Sequence, residues 1–201
     1  LELVNNPTPD LRPAEARGPS LEGYLFPATY EFPLDYTAED VIRAMTRRME
    51  QEFTPLAQSR LKQLGLSSIH DWVTLASIVQ AEAANSSEKP VIAGIFLNRL
   101  EIGMPLQADP TVAYGLGKRL PELNRGAGDF EKDTPYNSYT RRGLPPGAIG
   151  NPGTEALRAI LNPTRTNDKG QKYLYFLHAQ GRLFLNVDFQ GHLRDTAKYY
   201  R

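Results

Sequence analysis

The segment HDWVTLASIVQAEAA, residues 70–84, decides how the chain is read. Trp72, Leu75, Ala76 and Val79 fall at i, i+3, i+4 and i+7, the repeat of one helical face. Ser68 stands just ahead of them. Glu82 comes three residues after Val79 and seven after Leu75, so it lies along the edge of the buried stripe. A carboxyl there loses part of its hydration, which disfavours the charged form and raises its pKa, as a general acid working near neutral pH requires. Periodicity alone fits a bland edge glutamate, its carboxylate turned to water, better than a catalytic one.

Working outward, a second apolar helix, EKPVIAGIFLNRLEI, follows the Asn-Ser-Ser break at 85–87 and stops at Gly103. Upstream, Thr37 and Asp40 suggest a cap for a helix over about 38–53 with Val41, Met45 and Met49 on its stripe. Pro55 restarts a helix that ends at Gly65. LEGYLFPATYEF (21–32) is aromatic and roughly alternating, so extended structure interrupted at Pro27 is expected. Residues 1–20 are rich in Pro, Asn and charge and lack an apolar period, which reads as a linker or the end of a preceding region.

Downstream, Asp109-Pro110 reads as a cap and first helical position, which explains Asp109 structurally. Residues 117–150 hold many Gly and Pro with little periodicity, and a loop of that length is often functional. A helix from 151–154 to Leu161, a hairpin turning at Gln180-Gly181 and a closing helix in FQGHLRDTAKYYR complete the chain. The fold class is therefore α+β, helix-rich, with a small, mostly antiparallel sheet and long Pro/Gly-rich loops.

Composition narrows function. Twenty-three basic residues balance 23 acidic ones, which gives no global electrostatic case for nucleic acid. The absence of cysteine removes disulfides and thiolate chemistry. Three scattered histidines, His70, His178 and His192, form no metal-ligand pattern, so no metal and no cofactor is expected. No apolar run reaches the roughly 20 residues of a membrane span. The chain starts at Leu1 rather than Met, so it reads as a piece of something longer whose anchor lies upstream.

The loop TPYNSYTRRGLPPGAIGNPG concentrates tyrosines and asparagines between rigid turns. Tyrosine stacks on sugar CH faces and amides bond hydroxyl and N-acetyl groups, so a sugar site and a stiffened structural loop are even readings. Glu88, in the first turn after the break, has an electrostatic helix-start role. Neither Glu88 nor Asp109 can be shown from spacing to face Glu82.

Several long stretches in order then resemble one family. They are LEGYLFPATYEF, LASIVQAEA, VIAGIFLNRLEIGMPLQADPTVAYGLG, and PYNSYTRRGLPPGAIGNPGTEALRAILNP followed by YLYF. Together they resemble the YceG-like endolytic murein transglycosylases over about residues 21–201. The resemblance implies a catalytic domain at 21–201, with 1–20 as the linker or the end of a LysM-like region. It implies cleavage of peptidoglycan glycan strands between N-acetylmuramic acid and N-acetylglucosamine at the outer face of the cytoplasmic membrane, with peptidoglycan synthases as partners. The family's IVxxE motif falls on Ile78–Glu82 and makes Glu82 the acid–base residue; where many relatives carry a second Glu, this chain has Gln80. Gln107, Asp109, Tyr114, Asn137, Tyr139 and Asn151 match positions expected around the groove. The family's HxFSxTxxEH pattern is met here by LFLNVDFQGH, in which only His192 corresponds.

What the resemblance implies chemically is a one-carboxylate reaction ending in a 1,6-anhydro sugar, with no metal. Two rivals stand beside it: a hydrolase in which Asp109 or Glu88 activates water, and a non-catalytic glycan-binding module.

Overall fold

The computed structural model describes residues 1–199. Two apolar helices, α4 (Ile69–Glu82) and α5 (Lys89–Glu101), run through the middle of the molecule. Ser68 caps α4 by accepting the N–H of Asp71 at 3.1 Å. The expected stripe is broader than one face: Val73, Thr74, Ser77 and Ile78 are buried along with Trp72, Leu75, Ala76 and Val79. A helix covered on all sides is a core helix; of its two buried hydroxyls, Ser77 donates to the Thr74 carbonyl at 2.7 Å and accepts the Ile149 N–H at 3.0 Å, while the Thr74 hydroxyl has no partner among the described residues. Helix α7 (Thr154–Leu161) packs on both, and the Trp72 indole N–H donates to the Leu157 carbonyl at 2.9 Å.

Around this centre lie α1 (Glu2–Asn5), α2 (Ala38–Glu50), α3 (Pro55–Gln63) and α6 (Asp109–Leu116). Thr37 and Asp40 form a reciprocal capping box on α2, as their spacing suggests. The buried residues of α2 are Ile42, Thr46 and Met49, so its inner face is turned by about one residue from the Val41–Met45 line expected. The only sheet among the described residues is one antiparallel hairpin, β1 (Tyr175–Ala179) with β2 (Arg182–Asn186). Its turn is the expected one: Gln180 and Gly181 both take positive φ, 52° and 70°, the twist that suits a two-residue hairpin. Helix α8 (Phe189–Tyr199) closes over the hairpin, with Tyr200 and Arg201 of the expected segment outside the described residues.

One expectation changes. LEGYLF forms no strand; the N–H groups of Gly23 and Leu25 both donate to the Asn151 side-chain oxygen, at 2.9 and 3.0 Å, instead of to a neighbouring strand. Within 1–20, Leu11 is 1 % exposed and packs with Leu21 and Ile42, while Asp10 pairs with Arg43 of α2 at 2.7 Å. That segment therefore rests on the body of the molecule.

A close approach fixes the path after α7. A Cβ on Gly94 would stand 2.0 Å from the Thr164 carbonyl oxygen, so only glycine lets the chain lie on α5. There Asn98 donates to the carbonyls of Arg165 and Tyr173, both at 2.8 Å, and steers the chain into the hairpin.

Candidate active site

The buried helix α4 emerges from the core at its last residue, Glu82. It does so on the floor of a cavity of about 580 Å³, walled by the end of α5, the start of α6, the 117–150 loop, β1 and α8. Glu82 keeps a window onto the cavity but is otherwise enclosed, and burial pushes its carboxyl pKa up to about 8. The negative charge of Asp109 pushes the same way, while the Asp109 backbone N–H and the positive charge of Arg99 oppose it more weakly. The carboxyl therefore carries a proton at neutral pH.

Asp109 is the first residue of α6 and does not cap it, contrary to the sequence expectation. No side chain caps α6; its start is tied to the loop instead, where the Ser138 hydroxyl accepts the Ala108 N–H at 2.9 Å and pairs with the Thr111 hydroxyl at 2.7 Å. That leaves the Asp109 carboxylate turned to the cavity, where Tyr139 donates its hydroxyl proton to Oδ1 at 2.5 Å. Arg125 reaches the same pair, 3.2 Å from the Tyr139 oxygen and 3.7 Å from Asp109 Oδ1, with its guanidinium over the Phe130 ring.

Gln107 lines the cavity from a left-handed backbone, φ 51°, rare for a residue with a side chain. Its N–H donates to the Ser138 carbonyl at 3.0 Å, which holds that conformation.

Glu82, Gln107, Asp109 and Tyr139 thus come together. The other three expected positions do not line the cavity. Asn137 is buried: its amide donates to the carbonyls of Phe130 and Lys132, and its oxygen accepts the Tyr139 N–H at 2.8 Å, so it shapes the loop that carries Tyr139. Asn151 ties residues 23–25 to the 150–153 turn. Tyr114 packs against Tyr136, ring centroids 4.7 Å apart. Gln80 turns from the cavity as well; its amide donates to the Asn151 carbonyl and accepts the Gly153 N–H, both at 2.9 Å.

Glu88 lies off the cavity. It precedes α5 and accepts from the Ala84 N–H at 2.9 Å, from Asn85 at 3.1 Å, and at 2.9 Å from His178 of β1. Burial raises its pKa, but these hydrogen bonds outweigh that and leave it lowered. It fastens the hairpin to the α4–α5 turn.

Several cavity residues were not among the expected site residues. Tyr175, Phe189 and His192 form an aromatic wall, Tyr175 stacked on His192 at 5.3 Å and 5.7 Å from Phe189, whose side is 52 % exposed. Burial lowers the His192 pKa, helped by the charge of Arg99, so the ring is neutral at pH 7. Arg99 was visible in principle as the one cation inside the apolar run IAGIFLNRL. The wall was not, because its three aromatics lie on two elements brought together by the hairpin. Among the described residues no group of three His, Asp or Glu is placed to hold a metal ion.

Residues 3–198 match the model of the YceG-like family. An endolytic murein transglycosylase of Bacillus subtilis (strain 168) is 39 % identical over 89 % of this chain and 48 % of its own length. One from Streptococcus pneumoniae (D39) is 33 % identical over 89 % of this chain and 32 % of its own. The 2.6 Å crystal structure of a yceG-like protein from Listeria monocytogenes superposes with a TM-score of 0.75 at 35 % identity, covering 94 % of this chain and 60 % of that one. The chain thus spans about half the length of the Bacillus relative and a third of the pneumococcal one.

Proposed function

The chain belongs to the YceG-like family, and from that premise we propose that it is the catalytic part of a peptidoglycan lytic transglycosylase with Glu82 as its single acid–base group. One observation carries the reading: the protonated carboxyl of Glu82 at the floor of an open cavity wide enough for sugar rings. Pyranose rings stack on Tyr175 and Phe189, with Gln107 and Tyr139 bonding hydroxyl or N-acetyl groups. Glu82 gives its proton to the glycosidic oxygen as the muramyl C1–O bond breaks, the bonding pair leaving with that oxygen. Asp109, held by Tyr139, sets a negative charge beside the oxocarbenium-like sugar. The Glu82 carboxylate then takes the proton of the muramyl C6 hydroxyl, whose oxygen bonds to C1 and yields the 1,6-anhydro end. An internal hydroxyl already beside C1 outcompetes water by proximity.

The unit at 21–201 is proposed as the catalytic domain, with 1–20 leading in from a preceding region. The setting is the outer face of the cytoplasmic membrane beside peptidoglycan synthases, with the anchor upstream. Among the described residues no helix is long and apolar enough to cross a membrane.

The test is digestion of purified sacculi by the protein and by Glu82→Gln, with mass spectrometry of the products. Soluble fragments one water lighter than reducing-end sugars, lost by at least a thousandfold in the folded Gln variant, are expected. Reducing ends would instead make it a hydrolase with Asp109 activating water, a reading favoured only by Asp109 sharing the cavity. Full cleavage by the Gln variant would remove Glu82 from the chemistry.

A further inference from the structure

Arg99 is 6 % exposed, and a guanidinium so deep needs acceptors and a counter-charge. The acceptors are neutral. Nε donates to the Leu174 carbonyl at 2.7 Å; Nη1 donates to Leu106 and Pro105 carbonyls at 2.7 and 3.3 Å and reaches Gln107 Oε1 at 3.4 Å. The Tyr175 ring lies 5.1 Å from its centre. No described carboxylate forms an ion pair with it, Nη2 has no hydrogen-bond partner among the described residues, and Arg99 lines the cavity that Glu82 shares. An α5 residue spent only on packing would not keep an uncompensated charge in the interior, because an apolar side chain fills such a place at lower cost.

Glu82 faces two opposed demands. At rest it must hold a proton, which enclosure and the nearby Asp109 secure. When the proton leaves for the glycosidic oxygen, the electron pair of the O–H bond stays behind as a buried anion, and nothing in those two influences tolerates it. We propose that Arg99 is a positioning residue for the cleavage step, its guanidinium clamped by three backbone carbonyls at the cavity wall as the standing counter-charge for the Glu82 carboxylate formed in the reaction. The inference rests on Glu82 being the acid.

The other titratable groups on the cavity do not take that role. Asp109 and the tyrosines Tyr139 and Tyr175 bring no positive charge, His192 is neutral, His178 is engaged by Glu88, and Arg125 is exposed and directed at Asp109. Among the described residues, Arg99 brings the positive charge that acts on Glu82.

Two readouts test this on the whole chain: the pH profile of sacculus digestion, and the titration of the Glu82 carboxyl followed by carbon NMR, which needs no activity. Arg99→Met is expected to move the alkaline limb and the Glu82 titration upward by about one unit. It is expected to lower kcat at pH 7 by about tenfold or more while KM changes less than threefold. Arg99→Lys keeps the charge and is expected to hold the limb within about half a unit of the parent. Arg99→Gln, which retains a donor for the Leu106 carbonyl, replaces the Met variant if the latter does not fold. A folded neutral variant whose Glu82 titrates as in the parent overturns the proposal, whatever its rate. If neither neutral variant folds, Arg99 is a structural pin and the proposal falls too. Failure of the underlying reading looks different, since Glu82→Gln would then still cleave.

Discussion

Glu82 carries a cost that its chemistry explains. In an unfolded chain its carboxyl titrates near 4.5; in the fold it titrates near 8. The folded state therefore holds the proton more tightly, and stability falls as pH rises from about 4.5 to 8. Glu82→Gln is expected to be more stable than the parent at pH 7, by about 1–3 kcal/mol once solvent screening at the cavity is allowed for. The difference should vanish below pH 4.5, which thermal melts at both pH values will read. Cleavage should fall as pH rises through about 8, as the acid loses its proton in the free protein. At Tyr139 the missing donor can be tested alone: Tyr139→Phe leaves Asp109 with only the distant Arg125, and a several-fold loss in kcat/KM is expected in digestion assays. The residue scale is also where the sequence was most and least legible. The 3.6 period placed Glu82 at the edge of a buried face, but could not say that the helix ends there on a cavity. Asp109 looked fully spent as a cap, but the cap position falls one residue earlier, on Ala108, whose N–H is held by Ser138 from a loop whose path has no local signature.

At the scale of elements, periodicity and caps were enough for α2, α3, α4, α5 and α7, and the Gln-Gly pair located the hairpin turn. The segment 21–32 misled because alternation reports two-sided burial, and here the partner of its backbone is an asparagine side chain instead of a strand. The contact of α5 with the chain at 164 was equally invisible, although Gly94 in an apolar helix is its trace. Gly94→Ala must push that chain away and with it the hydrogen bonds of Asn98; a loss of about 2–4 kcal/mol is expected in urea unfolding. The 117–133 loop hangs on Asp129, which takes Lys118 at 2.6 Å, Lys132 at 2.8 Å and the Asn124 N–H at 2.9 Å. The hydrogen bond from Lys118, then that from Lys132, hold its pKa well below the usual 3.8. Its contribution is present in full above 3.8 and fades as pH falls toward the lower folded value. Asp129→Asn should accordingly lower the melting temperature at pH 7, with the gap to the parent closing near pH 2.

For the whole molecule, the cavity is assembled from parts that lie far apart in sequence, with α4 as floor and the hairpin and α8 as one wall. This is why the site could be read only in pieces: a helical face set Glu82 at the edge of the core, resemblance gave its role and added Gln107, Asp109 and Tyr139, and of the aromatic wall only His192 had a match. Gln80 shows how tightly the floor is tied to the rest. Its carboxamide spans a carbonyl and an N–H on the same turn, so the position demands a group that gives one proton and accepts another. Of the ionisable side chains of that length, only an un-ionised glutamic acid satisfies both. A glutamate at this point would keep both bonds only while its carboxyl stays protonated. The amide here meets both demands of the turn without an ionisable group, and so leaves the response to acidity in this part of α4 to a single position, two residues on.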